Sequence, residues 1–264
     1  MLERRSPPLR LPKSPLIFVL GQVRFAPILS MEKEIPAIQD SLRKHGFPRL
    51  STREIEITRR DAAGKAEVET RKQWEFINKE KRASVIIDNG FIVYQVTQYE
   101  LFEDFVKAFR AILDLFADHT EPDLMQRIGL RYVDLVTPSG GAKLESYLSS
   151  SLRGFSVDAV ESREAFRVES VTKTGEHSSF IHRYMEANRG LGFPDDLLPI
   201  FLSFDRELEL ESPFGLLDMD HFIHMDNDFS VETVVENLWF LHEHLTKAFE
   251  ASVTKSALSE WGAE

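Results

Sequence analysis

One pattern restricts the fold of this 264-residue chain more than any other. A strand, a helix, four strands and a second helix are written into the first 121 residues, and the order then starts again. Ile17, Val19, Val23 and Phe25 alternate with Phe18, Leu20, Gln22 and Arg24, apolar on both faces at first and on one face at the end, as a half-buried strand requires. Pro27 ends it. Ile35, Ile38 and Leu42 recur at helical spacing across 31–45, with Ser30 placed to cap the start and Gly46 the end. Pro36 draws the first turn towards itself, because proline is best tolerated there. Residues 52–60 set Ile55 and Ile57 against Glu54, Glu56 and Thr58, and 61–66 form a turn around Gly64. Residues 67–78 place Val68, Thr70, Trp74 and Phe76 on one parity. Strands at 84–88 and 91–98 flank Asp88-Asn89-Gly90, which carries the Asn-Gly signal of a hairpin turn. Leu101, Phe102, Phe105, Phe109, Ile112, Leu113 and Phe116 then make the apolar stripe of a helix.

The second half reads as a strand at 124–136, a helix at 138–152 and strands at 155–160, 165–173, 178–186 and 216–225. A long final helix is lined by Val231, Val234, Val235, Leu238, Leu241, Leu245 and Ala248. Residues 188–214, rich in Gly, Pro and Asp, break the order and are expected to be an insertion with one extra strand at 200–204. Val23-Arg24-Phe25 and Leu130-Arg131-Tyr132 stand 107 residues apart, and the same offset carries 31–45 onto 138–152. The expectation is an internal duplication: a flexible arm at 1–14, a first half at 15–121 and a second at 122–264 carrying the insertion.

This order resembles the duplicated fold of the TATA-box-binding-protein type. The resemblance implies an α+β chain of tandem pseudo-symmetric β-α-β4-α repeats. They would share one curved antiparallel sheet, with helices on one face and the two first strands side by side at the axis. Two separate α+β sandwiches are the alternative. Three segments carry a second resemblance: Leu11-Pro12-Lys13-Ser14-Pro15-Leu16, Arg127-Ile128-Gly129-Leu130-Arg131-Tyr132, and Leu216-Leu217-Asp218-Met219-Asp220 followed by His242, Phe249-Glu250 and Val253-Thr254. They are similar to a sporadically distributed family of uncharacterised bacterial proteins of about this length. That resemblance implies a bacterial, cytoplasmic protein and no particular reaction. The patchy distribution is common among defence-associated genes, including antitoxins.

Composition narrows the function classes. At 42% hydrophobic and 28% charged, the chain can bury a sizeable core. It has no cysteine, which removes disulfides, thiolate metal sites and cysteine nucleophiles. No stretch approaches the ~20 apolar residues of a membrane span, and the basic, proline-bearing opening is not expected to be a signal peptide. A net charge of −11, with Glu54, Glu56, Glu67, Glu69 and Glu75 on the candidate sheet face, argues against duplex DNA as the main ligand.

Arg24 and Arg131 are the sharpest candidate binding residues. Period two sets both opposite Val23, Phe25, Leu130 and Tyr132. If those four face the helices, both guanidinium groups lie on the open sheet, either gripping a carboxylate or phosphate or pairing across strands with nearby acids. Asp218, Asp220, His221, His224, Asp226 and Asp228 invite a metal reading, but alternation separates His221 from Asp218, Asp220 and His224. Asp226 or Asp228 is instead expected to cap the last helix. His242 and His244 lie two apart on a helix and point in opposing directions. Trp74 and Phe76 suit a core better than a stacking platform, and Tyr94 and Tyr99 stay open. No phosphate loop, dinucleotide fingerprint or nucleophile elbow occurs. The reading is therefore a non-enzymatic binding protein whose charge suits a basic protein partner, with no assigned catalytic residue, metal or cofactor. The alternatives are an enzyme or small-ligand binder using a pocket between sheet and helices, and a single-stranded nucleic-acid binder. Leu191, Phe193, Leu197 and Leu198 are left either for an interface or for packing on the sheet, and the oligomeric state stays open.

Overall fold

A computed structural model describes residues 10–60, 66–154, 165–187, 193–204 and 214–263. The first half follows the sequence pattern closely. It runs β1 (Leu16–Phe25), α1 (Met31–Lys44), β2 (Arg49–Arg60), β3 (Ala66–Ile77), β4 (Ala83–Ile87), β5 (Phe91–Val96) and α2 (Phe102–Thr120). The second half runs β6 (Leu124–Val136), β7 (Ala165–Lys173), β8 (Ser178–Ala187), β9 (Phe214–Asp228), α3 (Val231–Ser252) and a short α4 (Lys255–Glu260). The fold is α+β, built on one nine-stranded sheet in the order β2-β3-β4-β5-β1-β6-β9-β8-β7, with every pair antiparallel. One continuous sheet excludes two separate sandwiches.

Strand alternation divides the sheet into two faces. Val19, Val23 and Phe25 of β1, Ile128, Leu130 and Tyr132 of β6, and Leu217 and Met219 of β9 face the helices and belong to the main core. Against them pack Ile35, Ile38 and Leu42 of α1, Phe105, Phe109 and Phe116 of α2, and Leu238, Leu241 and Leu245 of α3. Tyr94 stacks on Phe105 with ring centroids 5.1 Å apart. Trp74 and Phe76 are buried in this core, as their parity requires. Gly21 lets α2 approach: a Cβ there would come within 2.8 Å of the Phe109 ring.

Several expectations need correction. Residues 138–152 do not form an α-helix; they hold two 3-10 turns, Leu144–Ser146 and Ser150–Leu152. Gly140 and Gly141 both take positive φ, and the run Pro138-Ser139-Gly140-Gly141 is too rich in helix breakers for a helix that long. The expected strand at 155–160 lies outside the described residues. Within the expected insertion, Ile200–Phe204 is not a strand, and a 3-10 turn occupies Asp195–Leu197. Segment 193–204 crosses the face opposite the helices. There Phe193, Leu197, Ile200 and Phe204 close a second apolar cluster over Phe18, Leu20, Val133, Leu135 and Leu216. Phe193 and Leu197 thus pack on the sheet, whereas Leu198 is exposed and Leu191 is not described. The helix-covered face is therefore not the sole covered one.

Caps differ as well. Ser230 caps α3 by accepting a hydrogen bond from the Thr233 N–H, in place of Asp226 or Asp228. Ser30 makes no side-chain cap, and Pro36 sits inside α1 instead of opening it. Of the expected arm, residues 1–9 lie outside the described residues, and Lys13 N–H donates to Trp261 C=O at 3.0 Å, tying its end to the C-terminal turn. No helix among the described residues is long and apolar enough to cross a membrane.

Replacing Gly21 with alanine is expected to destabilise the protein by ~1–3 kcal/mol through overpacking against Phe109. An unchanged thermal midpoint would refute the close packing of α2 on β1.

Candidate functional site

The face turned away from the helices carries a row of charges at its centre. Alternation brings Gln22 and Arg24 of β1, Arg127, Gly129 and Arg131 of β6, and Asp218, Asp220, Phe222 and His224 of β9 to this face, with Arg183 of β8 beyond them. Asp218, Asp220 and His224 share a side and His221 takes the other, as the parity argument requires. Arg24 and Arg131 both lie on the expected face, but they do not meet. Arg24 stands opposite Arg127, and Arg131 stands opposite Leu20. Four residues of β6 separate the two positions, ~13 Å along an extended chain.

Arg131 is a buried hub. Only 5% of its side chain is exposed, and Asp218 beside it is fully buried. The guanidinium donates to both Asp218 oxygens, from Nε at 2.6 Å and Nη2 at 2.8 Å. It also donates to both oxygens of Asp196 in the covering segment, from Nη1 at 2.5 Å and Nη2 at 3.1 Å. Burial works against its charge, but Asp218 and Asp196 outweigh that cost and hold its pKa above the ordinary value. Arg183 donates to Asp218 Oδ2 at 3.0 Å and also pairs with Glu169. Asp218 therefore receives two guanidinium groups, and Asp196 fastens segment 193–204 to the sheet. These contacts commit Arg131 to the protein's own carboxylates.

The other end of the face, beyond segment 193–204, is arranged differently. Arg127 Nη1 donates to Gln22 Oε1 at 2.6 Å, and Nη2 lies 3.4 Å from Asp220 Oδ2. Its guanidinium carbon sits 4.1 Å from the Phe222 ring centroid. The guanidinium lies over Gly129, at 3.6 Å from where a Cβ would stand, which is ordinary contact distance. Burial lowers the Arg127 pKa against the pull of Asp220, and burial raises that of Asp220 against the pull of Arg127. Arg24 is exposed, and its Nε donates to the same Gln22 Oε1 at 3.2 Å. Among the described residues it forms no ion pair. His224, exposed at the rim, has its pKa lowered by partial burial and by the charges of Arg127 and Arg24. Across β5, Asp88 is buried in the β4–β5 turn, accepts from the Gly90 and Phe91 N–H groups and lies 3.7 Å from Arg71.

Arg127 is the residue that sequence reasoning missed. Its parity matches that of Arg131 and was available, but its place opposite Arg24 follows from the β1–β6 register, which no local pattern states. The glutamates expected on this face also rearrange. Glu75 is buried there, accepting from Ser84 Oγ at 2.8 Å and Gln95 Nε2 at 3.3 Å. Glu54 pairs in register with Lys72 on the opposite parity, and the side chains of Glu56, Glu67 and Glu69 lie outside the described set.

Histidines on the helix side have packing roles. His242 Nδ1 lies 2.8 Å from Tyr132 Oη and its ring stacks on Phe102 at 3.9 Å, while His244 lies beside His221 at 5.0 Å. The two thus point to different neighbours. Tyr99 lies 3.4 Å from Tyr132 Oη within the same cluster. His221 is fully buried; Nε2 meets Thr174 Oγ1 at 2.7 Å and Nδ1 faces Leu241 C=O at 3.3 Å, joining β9 to the β7–β8 turn and to α3. Burial pushes its pKa down to about 4, so the ring is neutral near pH 7. Among the described residues, no group of three or more histidines and carboxylates is placed to hold a metal ion. Two surface depressions lie elsewhere: one of about 370 Å³ along β7–β9, lined by Phe166 and Met185, and one of about 350 Å³ between α1 and α2, beside Ser41 and His119.

No family model matches the chain, and no curated protein matches its sequence.

Two outcomes follow from this geometry. Arg131→Ala strips the buried Asp218 of its main partner and is expected to cost ~3–5 kcal/mol, whereas Asp196→Ala, at an exposed carboxylate, costs about 1 kcal/mol or less. Equal losses in urea unfolding would contradict the hub. Between pH 6.5 and pH 4 the unfolded chain protonates His221 while the folded one does not, so acid favours unfolding. Its contribution is whole above pH 6.5 and is expected to fall by about 2 kcal/mol between pH 7 and pH 5. The difference in unfolding free energy between those pH values should shrink in His221→Gln.

Proposed function

We propose that this chain is a non-enzymatic interaction protein that recognises a protein partner on the uncovered end of its sheet face. The observation that carries the reading is Arg24. It is an exposed cation on a sheet face whose one side-chain hydrogen bond among the described residues goes to a neutral amide, while its arginine neighbours Arg127, Arg131 and Arg183 contact carboxylates. A partly apolar sheet face bearing an exposed cation suits a protein contact better than it suits turnover, which needs reacting groups gathered in a water-excluding cleft. The unmatched cation favours an acidic contact on the partner, in place of the basic partner that net charge alone suggests. The second reading, a small-ligand or enzymatic site, draws on Asp220, a carboxyl raised by burial beside a guanidinium. Neither depression described above includes it.

The same proposal includes an internal duplication and a place in the bacterial cytoplasm, with the defence-associated or antitoxin-like role that the sequence resemblance implies. The 107-residue offset supports the duplication. It maps Gln22 onto Gly129, and these two are paired in register at the centre of the sheet, where a two-fold relation would put equivalent residues together. Arg24 and Arg131 then correspond across that axis, which accounts for their separation.

The test is affinity capture from a native lysate with wild type and Arg24→Glu in parallel. One stoichiometric protein is expected with wild type and is expected to be lost in the variant at an unchanged thermal midpoint. Equal capture by both would remove the open face from the interaction.

A further inference from the structure

Gln22 Oε1 has an unusual position. Two guanidinium groups from adjacent strands, Arg24 through Nε at 3.2 Å and Arg127 through Nη1 at 2.6 Å, converge on this one neutral oxygen. An amide oxygen carries only partial charge, so it satisfies donor geometry without neutralising either cation. A carboxylate oxygen in the same place would make both bonds charge-assisted, and these are roughly twice as strong.

We infer that Arg24 and Arg127 form a carboxylate subsite, in which Gln22 Oε1 stands where an acidic side chain of a protein partner places its oxygen. This deepens the binding reading above and rests on it. Three features of the site argue for a carboxylate. Arg127 is pre-oriented: Phe222 backs its guanidinium plane, Gly129 lies beneath it and Asp220 holds Nη2, leaving Nη1 for the shared acceptor. Gln22 is only half-buried and Arg24 is exposed, so the amide can turn away and a ligand can reach both donors from solvent. Charge sets the anion class. Arg127 is paired with Asp220, whereas Arg24 touches no carboxylate among the described residues and feels the buried Asp88 only at a distance, so one cation of the site lacks a contacting carboxylate. A carboxylate brings one negative charge; a phosphate dianion would bring a second one close to Asp220. The ligand therefore presents one carboxylate at a time, as an aspartate or glutamate side chain does.

The experiment uses the full chain, isotope-labelled, and follows the arginine Nε–H resonances of Arg24 and Arg127 by nuclear magnetic resonance. A capped triglutamate peptide, a capped triglutamine peptide and inorganic phosphate are titrated at equal ionic strength. Triglutamate is expected to shift both resonances saturably and to bind more tightly than phosphate, and triglutamine to leave them unmoved. Arg24→Gln, at an exposed position, is expected to weaken the peptide about tenfold. Gln22→Ala removes the internal competitor and is expected to leave affinity equal or higher. The proposal fails if triglutamate gives no saturable shift, if Arg24→Gln binds as wild type, or if Gln22→Ala weakens binding. Tighter binding of phosphate overturns the carboxylate assignment. Partner capture lost in Arg24→Glu, without any peptide response, would retain the interaction surface and reject the carboxylate subsite alone.

Discussion

The structure depends on the antiparallel pairing of β1 with β6. Each of these strands is the inner edge of its own half of the sheet, and their ladder makes one nine-stranded sheet of the two. The pairing holds because both strands alternate in phase: Val19 and Val23 stand beside Tyr132 and Ile128 on the helix side, so one continuous core runs beneath α1, α2 and α3. A slip of one residue would turn that whole set to the opposite face, and the buried apolar area fixes the register. That register also decides which polar residues meet on the far side.

The far side is divided by what covers it. Over one end lies segment 193–204, whose Phe193 and Phe204 shield Phe18 and Leu216, and whose Asp196 reaches the Arg131–Asp218 pair. A buried carboxylate needs compensating charge, and Asp218 receives it from two guanidinium groups. Among the described residues, no segment covers the other end. There Arg24, Arg127, Phe222 and His224 meet solvent to different degrees, and Arg24 forms no ion pair with a described residue. One sheet face thus joins a closed, self-satisfied ion network to an open one.

Sequence reading was most accurate where local rules act alone. The alternation in β1, the turn at Asp88–Gly90 and the aromatic stripe of α2 each reflect short-range geometry: a period of two, a turn whose Asp88 carboxylate accepts from the Gly90 and Phe91 N–H groups, and a period of 3.6. It failed at 138–152, where apolar spacing suggested a helix but the paired glycines outweighed it, and at 200–204, where apolar residues serve as a cover and not as a ladder strand. It placed Arg24 and Arg131 on the right face, yet it did not bring Arg127 to Arg24.

By itself, the sequence determined which side of β1, β3 and β6 faces the helices, where the first-half helices lie, and that Arg24 and Arg131 share the opposite face. These follow from side-chain direction along a chain whose local geometry is nearly fixed. Only the tertiary structure decided that Arg131 is buried in a carboxylate fork, that Asp196 arrives from a segment 65 residues away, and that Arg24 and Arg127 converge on Gln22. The physical reason is that such contacts depend on register between strands distant in sequence and on which segment covers which face. Both are set by the burial of the whole core and by no local propensity.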